Sequence, residues 1–153
     1  MHWALCGKYD IQRDDKWYDH KPEGVIDNER AKILWDFMIQ CDHQIEHRKP
    51  DIVLIEKESK QCWIIDIACP ADNKVCDKEG MKKDRYDRLA FEVKQLWSMR
   101  KVTVIPIIVG ALGTVSKDLE NYIEQLGITI WLEHLQKTAL LGTARILRKV
   151  LEE

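Results

Sequence analysis

Apolar and polar positions change period several times along the chain, and each change marks an element. Asp27 or Asn28 precedes Glu29-Arg30-Ala31-Lys32-Ile33-Leu34-Trp35-Asp36-Phe37-Met38, a pattern that predicts a capped helix. Three extended stretches are predicted next. Cys41 to His47 alternates weakly, whereas Ile52 to Ile55 and Cys62 to Cys69 are compact aliphatic runs. The polar stretch Glu56-Lys57-Glu58-Ser59-Lys60 joins the last two at hairpin length, and Pro70 closes the third because it cannot extend a ladder. A long helix follows from Val75 to Met99. Its residues Tyr86, Leu89, Val93, Leu96 and Trp97 recur at three and four and define one inward face. Val102 to Val109 is apolar on both sides, which predicts a central strand covered on both faces. Gly110-Ala111-Leu112-Gly113 breaks it, and a helix from Ser116 to Gln125 stops at Gly127, a C-cap residue. A helix from Glu133 to Leu151 ends the order. The expected fold class is α/β: helix, three strands, long helix, strand and two C-terminal helices around a mixed sheet. Residues 1–24, with Trp3, Tyr9, Trp17 and Tyr18 among charges, read as an N-terminal extension packed on a domain of residues 25–153.

The length of 153 residues suits one domain with a real core. A net charge of −2 does not announce a nucleic-acid binder. Local basic groups do more: His47-Arg48-Lys49, Lys82-Lys83 with Arg85, Arg100-Lys101, and Arg145 with Arg148-Lys149 can follow a phosphate backbone, because steering depends on the local field. Scattered solvated charge explains any one of them equally well. Five cysteines without a Cys-x-x-Cys pair point to a reducing compartment and mostly buried free thiols. His2 and Cys6 share a helical face, with His20 further on, but a zinc site wants a fourth ligand, so packing is the better expectation. The longest apolar run, Val102 to Val115, is too short for a membrane span, and the expectation is a soluble intracellular domain.

The chemistry concentrates on a hairpin. Asp51 opens one strand, and Asp66 lies inside the next between Ile64-Ile65 and Ile67-Ala68. A carboxylate in such an aliphatic strand is costly to bury unless it binds something. Strands about 5 Å apart let two such acids share one ion. Lys82 falls in line with Tyr86, Leu89 and Val93 on the inward stripe of the long helix, and a lysine there wants an anionic partner; Lys83 points to the side. Hard oxygens for Mg²⁺ and a nearby cation are what metal-assisted phosphodiester cleavage needs. Each member also has a structural explanation: Asp51 capping a turn, Asp66 pairing with Lys82, Lys82 snorkelling to solvent.

Lys49-Pro50-Asp51, then Asp66-Ile67-Ala68 in an aliphatic strand, then Lys82-x-x-x-Tyr86 on a helix, resembles the restriction-like endonuclease region of site-specific non-LTR retrotransposon polyproteins. That region belongs to the PD-(D/E)XK nuclease superfamily. Lys32 to Phe37, Val109 to Thr114 and Gln136 to Val150 are similar to it as well. The resemblance implies a Mg²⁺-dependent nick in target DNA, with Mn²⁺ substituting, that leaves a 3′-hydroxyl for an associated reverse transcriptase. Asp51 and Asp66 would be the metal ligands, Lys82 would polarise the phosphate or position water, and Tyr86 would assist it. DNA contacts would fall to Arg48, Lys49, Lys83 and Arg85. DNA, the reverse transcriptase and the finger domains of a parent polyprotein would be the partners, in the nucleus. Two departures stand out. The superfamily often has lysine two residues after the second acid, where this chain has Ala68, so Lys82 would be a relocated lysine. Some relatives add a carboxylate from the first helix; Glu29 and Asp36 are the candidates, and both project away from a stripe of Leu34, Phe37 and Met38. A catalytically inactive nucleic-acid-binding module is the alternative function.

The remaining candidates have plainer explanations. His43 and His47 alternate near Asp51 and read as surface or packed histidines. Gly110 to Gly113 lacks nucleotide-loop spacing and reads as a turn. Trp35, Trp63 and Trp97 read as core, with Trp17 and Tyr18 the freer pair for stacking. Leu140, Leu141, Ala144, Leu147 and Leu151 read as a core stripe beside a basic face.

Overall fold

The computed structural model describes residues 1–16, 20–41, 48–128 and 132–152. Their elements are α1 (His2–Lys8), β1 (Val25–Asp27), β2 (Ala31–Trp35), β3 (Ile52–Glu56), β4 (Gln61–Ala68), α2 (Val75–Leu96), β5 (Lys101–Ile108), α3 (Leu119–Leu126) and α4 (Leu132–Glu152). The strands form one mixed sheet in the order β1-β2-β3-β4-β5. Pairing is antiparallel from β1 to β4 and parallel between β4 and β5. The α/β class with a mixed sheet stands as expected.

The helix expected from Asp27 to Met38 is instead the β1–β2 hairpin and its exit. Asn28 supplies the reason. Its side-chain oxygen accepts the N–H groups of Arg30 and Ala31 at 2.9 and 2.8 Å, and its own N–H donates to the Ala31 carbonyl at 3.0 Å. An Asn that can cap a helix can also close a tight turn, and here the turn wins. Pairing with β3 then overrides the helix propensity of the following residues. Phe37 and Met38, expected on a buried stripe, are exposed. Of the stretch 41–47 expected as a strand, only Cys41 is described, and it lies in no strand.

The sheet is covered on both faces because its strands alternate strictly. Ile33, Ile52, Leu54, Trp63, Ile65, Ile105 and Ile107 face Leu5, Cys6 and Tyr9 at α1 and Leu119, Tyr122, Ile123 and Leu126 of α3. Leu34, Val53, Cys62, Ile64 and Val104 face Tyr86, Leu89 and Val93 of α2. Each fully buried Ile or Leu contributes about 1.5–3 kcal/mol. Leu5, Cys6 and Tyr9, read as part of an extension, thus sit in the main core. β5 is buried on both faces as expected, but it is the edge strand, not a central one. An edge position also accommodates Pro106, which has no N–H to give a further neighbour. α2 ends at Leu96, three residues early, and Leu96 is exposed although it was expected on the inward stripe.

α3 stops where expected: Gly127 takes φ +65°, and the Lys8 ammonium donates to the Leu126 carbonyl at 2.7 Å, tying α1 to this helix end. α4 departs from expectation. Only its first turns engage the core, through Leu132, Leu135 and Ala139, and Thr143 donates to the Ala111 carbonyl. Leu140, Leu141, Leu147 and Leu151 are exposed instead of forming a core stripe. Two cysteines, Cys6 and Cys62, are buried, while Cys41 is half-buried and Cys69 and Cys76 are exposed, fewer buried thiols than expected. Among the described residues no helix is long and apolar enough to cross a membrane.

Gly110 to Gly113 is a turn, fastened by Asp72. The Asp72 carboxylate accepts the Leu112 N–H at 2.8 Å and the Thr114 hydroxyl at 2.6 Å. A Cβ on Gly110 would stand 2.2 Å from Asp72 Oδ1 and 3.1 Å from its Cα. With that carboxylate held by two donors, Gly110→Ala should destabilise the fold by about 1–3 kcal/mol, the range for overpacking a fixed neighbour. Urea denaturation checks this, and wild-type stability in the variant would show that Asp72 swings away freely.

Candidate active site

The parity of the strands puts the acids on one face. Asp66 shares its face with Cys62 and Ile64, and Asp51 with Val53, so both carboxylates point toward α2. Ile52 pairs with Ile65, so Asp51 and Asp66 meet one residue further along. There the ladder passes from backbone carbonyls to side chains. The Asp51 N–H donates to Asp66 Oδ1 at 3.2 Å, and the Ile67 N–H donates to Asp51 Oδ2 at 2.7 Å. Each acid is held by the other's strand.

Lys82 arrives from α2 and forms an ion pair with Asp66 Oδ2. Both groups are withdrawn from water, with 12% of the Lys82 side chain and 4% of the Asp66 side chain exposed. Asp66 Oδ2 accepts no hydrogen bond of regular geometry, so its attraction to the Lys82 ammonium is what offsets its burial. Burial pushes the Asp51 carboxyl above its ordinary range; the Ile67 N–H pulls it down, and the neighbouring Asp66 charge pushes it up again. Tyr86, one turn beyond Lys82, is buried. Burial first, and then the charges of Asp66 and Asp51, push its phenol up to about 12. Asp51, Asp66 and Lys82 are thus brought together, with Tyr86 on the next turn of α2.

Other expected residues are placed differently. Glu29 lies in the β1–β2 turn, at the opposite end of β2 from Asp51, and is too far along the strand to join the two acids. Asp36 follows β2 directly, with its N–H donating to the Asp51 carbonyl at 2.9 Å. It adopts φ +50°, and its mostly exposed carboxylate pairs with Lys49 at 3.5 Å. Its adjacency to Asp51 was hidden by the helix expected there; strand pairing, once recognised, reveals it. Lys83 is exposed with its ammonium 5.6 Å from the centre of the Tyr122 ring, while Arg48 and Arg85 are half-buried. His43, His47, Trp17 and Tyr18 lie outside the described residues. Glu79, one turn before Lys82 and Lys83, went unnoticed in the sequence. It is 8% exposed and takes the Ser116 hydroxyl. A lone glutamate at a helical position gave no signal of that burial.

A second group of ligand-type side chains lies on the opposite face of the sheet. His2, Cys6 and His20 each bring one donor atom within 4.8 Å of the others, the one such trio among the described residues. Burial, then the charge of His20, lowers the His2 imidazole to about 4.

No family model matches the chain, and no curated protein matches it.

Proposed function

We propose that this chain is a metal-dependent DNA endonuclease with a PD-(D/E)XK-like core. It nicks one phosphodiester bond, as for target-primed reverse transcription by a non-LTR retrotransposon. The observation that carries the proposal is the meeting of Asp51, Asp66 and Lys82 at one end of the β3–β4 hairpin, with Asp66 Oδ2 buried and without a hydrogen bond of regular geometry. Lys82 offsets the charge of one of the two carboxylates, and a bound cation would offset that of the other. The donor set fits Mg²⁺, which takes hard oxygens, commonly one or two carboxylates, and keeps several waters. Mn²⁺ suits the same donors. When bound, such an ion polarises the phosphate and lowers the pKa of water.

The chain's own residues do the rest. The Ile67 and Asp51 N–H groups fix the two carboxylates, so neither must reorganise as substrate arrives. Lys82 supplies positive charge to the same spot, suited to a phosphate oxygen or to orienting water. Tyr86 keeps its proton at neutral pH, so it serves as a donor beside Lys82 and not as a base. The antiparallel strands followed by α2 and a parallel β5 are compatible with this nuclease core, with α1 in place of the helix first expected at Asp27 to Met38. DNA, a reverse transcriptase and finger domains as partners, and a nuclear location, belong to the same proposal.

Plasmid nicking by the wild type and Asp66→Ala, with Mg²⁺, Mn²⁺ or EDTA, tests it. Conversion of supercoiled to open-circle DNA that requires both metal and Asp66 is the expected result. DNA binding with no conversion under any metal would instead make the chain a nuclease-fold binding module that does not cut.

A further inference from the structure

From the meeting of His2, Cys6 and His20 beside the sheet we infer a second metal site, for one zinc-type ion, separate from the acidic pair. His2 and Cys6 lie four residues apart on α1, one turn above each other, and both are buried. His20 comes from the segment leading toward β1, eighteen residues from His2 in sequence. His2 Nδ1 stands 2.8 Å from His20 Nε2 and 3.6 Å from Cys6 Sγ. Around tetrahedral zinc, with bonds of about 2.0–2.1 Å to nitrogen and about 2.3 Å to sulfur, ligand atoms lie roughly 3.3–3.6 Å apart. The trio is thus close to ligand spacing and needs little movement to reach it.

Without a metal, two neighbours compete for one atom. Two polar atoms converge on a single ring nitrogen, His2 Nδ1, while the other, Nε2, is buried with no hydrogen-bond partner. With the proton on Nδ1, that atom donates to only one neighbour and the Nε2 lone pair is stranded. With the proton on Nε2, the stranded group is the N–H, and one lone pair must accept from both neighbours. A cation at the point of convergence turns the three lone pairs into ligands and removes the competition at Nδ1, with the His2 proton then on Nε2. The imidazole–thiolate set favours zinc over the hard cations suited to Asp51 and Asp66; with three protein ligands the fourth position falls to water, the open arrangement and not the closed one of four protein ligands. The ion would join α1, seven residues long and too short to hold itself, to the segment before β1, next to Trp35, whose ring stands 5.6 Å from that of His2.

Cobalt titration of the full chain, stripped with EDTA, tests the site without reference to cleavage. One equivalent of Co²⁺ should bind with tetrahedral visible bands and a thiolate-to-cobalt charge-transfer band, and Zn²⁺ should displace it and raise Tm. Cys6→Ser should lose the charge-transfer band. His20→Ala, a half-buried position that leaves the core intact, should weaken binding by more than the roughly 10–100-fold that loss of an outer-shell partner costs. Asp66→Asn should leave the spectrum unchanged. No tetrahedral cobalt spectrum in the wild type, or one that survives His20→Ala and vanishes in Asp66→Asn, overturns the inference.

Discussion

Lys82→Met is expected to slow plasmid nicking by about 10²–10³-fold, the cost of removing one group that stabilises developing charge. It should also destabilise the fold, by about 3–5 kcal/mol, because breaking a buried pair strands the partner charge. Asp66 is 3% exposed, and the Lys82 ammonium is the group set against its Oδ2. Methionine keeps most of the lysine stem, so the loss reads the charge and not the packing. Adding Asp66→Asn to Lys82→Met removes the stranded charge and should restore most of the stability, while the slowed nicking is lost altogether with the Asp66 carboxylate. Denaturant midpoints measure the first effect and initial rates of open-circle formation the second. If Lys82→Met nicks at the wild-type rate while losing stability, the ion pair is purely structural and Lys82 has no part in cleavage.

Much of this site was legible because two simple periods meet in it. A period of two puts Asp51 with Val53, and Asp66 with Ile64 and Cys62, on one face of the hairpin. A period of 3.6 puts Lys82 with Tyr86, Leu89 and Val93 on the face of α2 that covers it. Both are local properties of the chain, so residue order alone carries them. Features that depend on pairing were not legible. Residues 31–35 hold good helix formers and become β2 only because β3 lies alongside. β5 carries the apolar pattern of a central strand because helices cover both faces, and its edge position is a fact about neighbours that composition does not encode. In α4 the heptad-like leucines predicted burial, but the sheet offers no surface beyond Ala139 and Thr143. The nearness of His20 to His2 and Cys6 is likewise set by tertiary folding, which is why spacing alone made the trio a weak ligand set.

Asp51→Asn is expected to abolish nicking and yet to leave the metal-free protein more stable than wild type at neutral pH. In the folded chain burial raises the Asp51 pKa, the Ile67 N–H opposes that shift, and the Asp66 charge adds to it. The folded state therefore holds this proton more tightly than the unfolded chain does. A raised carboxyl contributes stability fully present below its unfolded pKa of about 3.9, and that stability is lost as pH rises through the folded value. Above that window the ionised Asp51 is a net cost, as expected of a group kept to bind a cation. Asparagine removes the charge and retains an oxygen for the Ile67 N–H. Denaturation midpoints in EDTA from about pH 3.5 to about pH 8 should show the variant's advantage growing with pH and then levelling off. Mg²⁺ should then stabilise the wild type alone, since a ligand that binds only the folded state stabilises by RT ln(1 + [L]/Kd). A variant less stable than wild type at every pH, with neither protein responding to Mg²⁺, would reduce Asp51 to an acceptor that ties β3 to β4. It would also remove the cation from the proposed reaction. The opposite pattern, charge retained at a cost that a divalent ion recovers, distinguishes a working metal site from a buried ion pair.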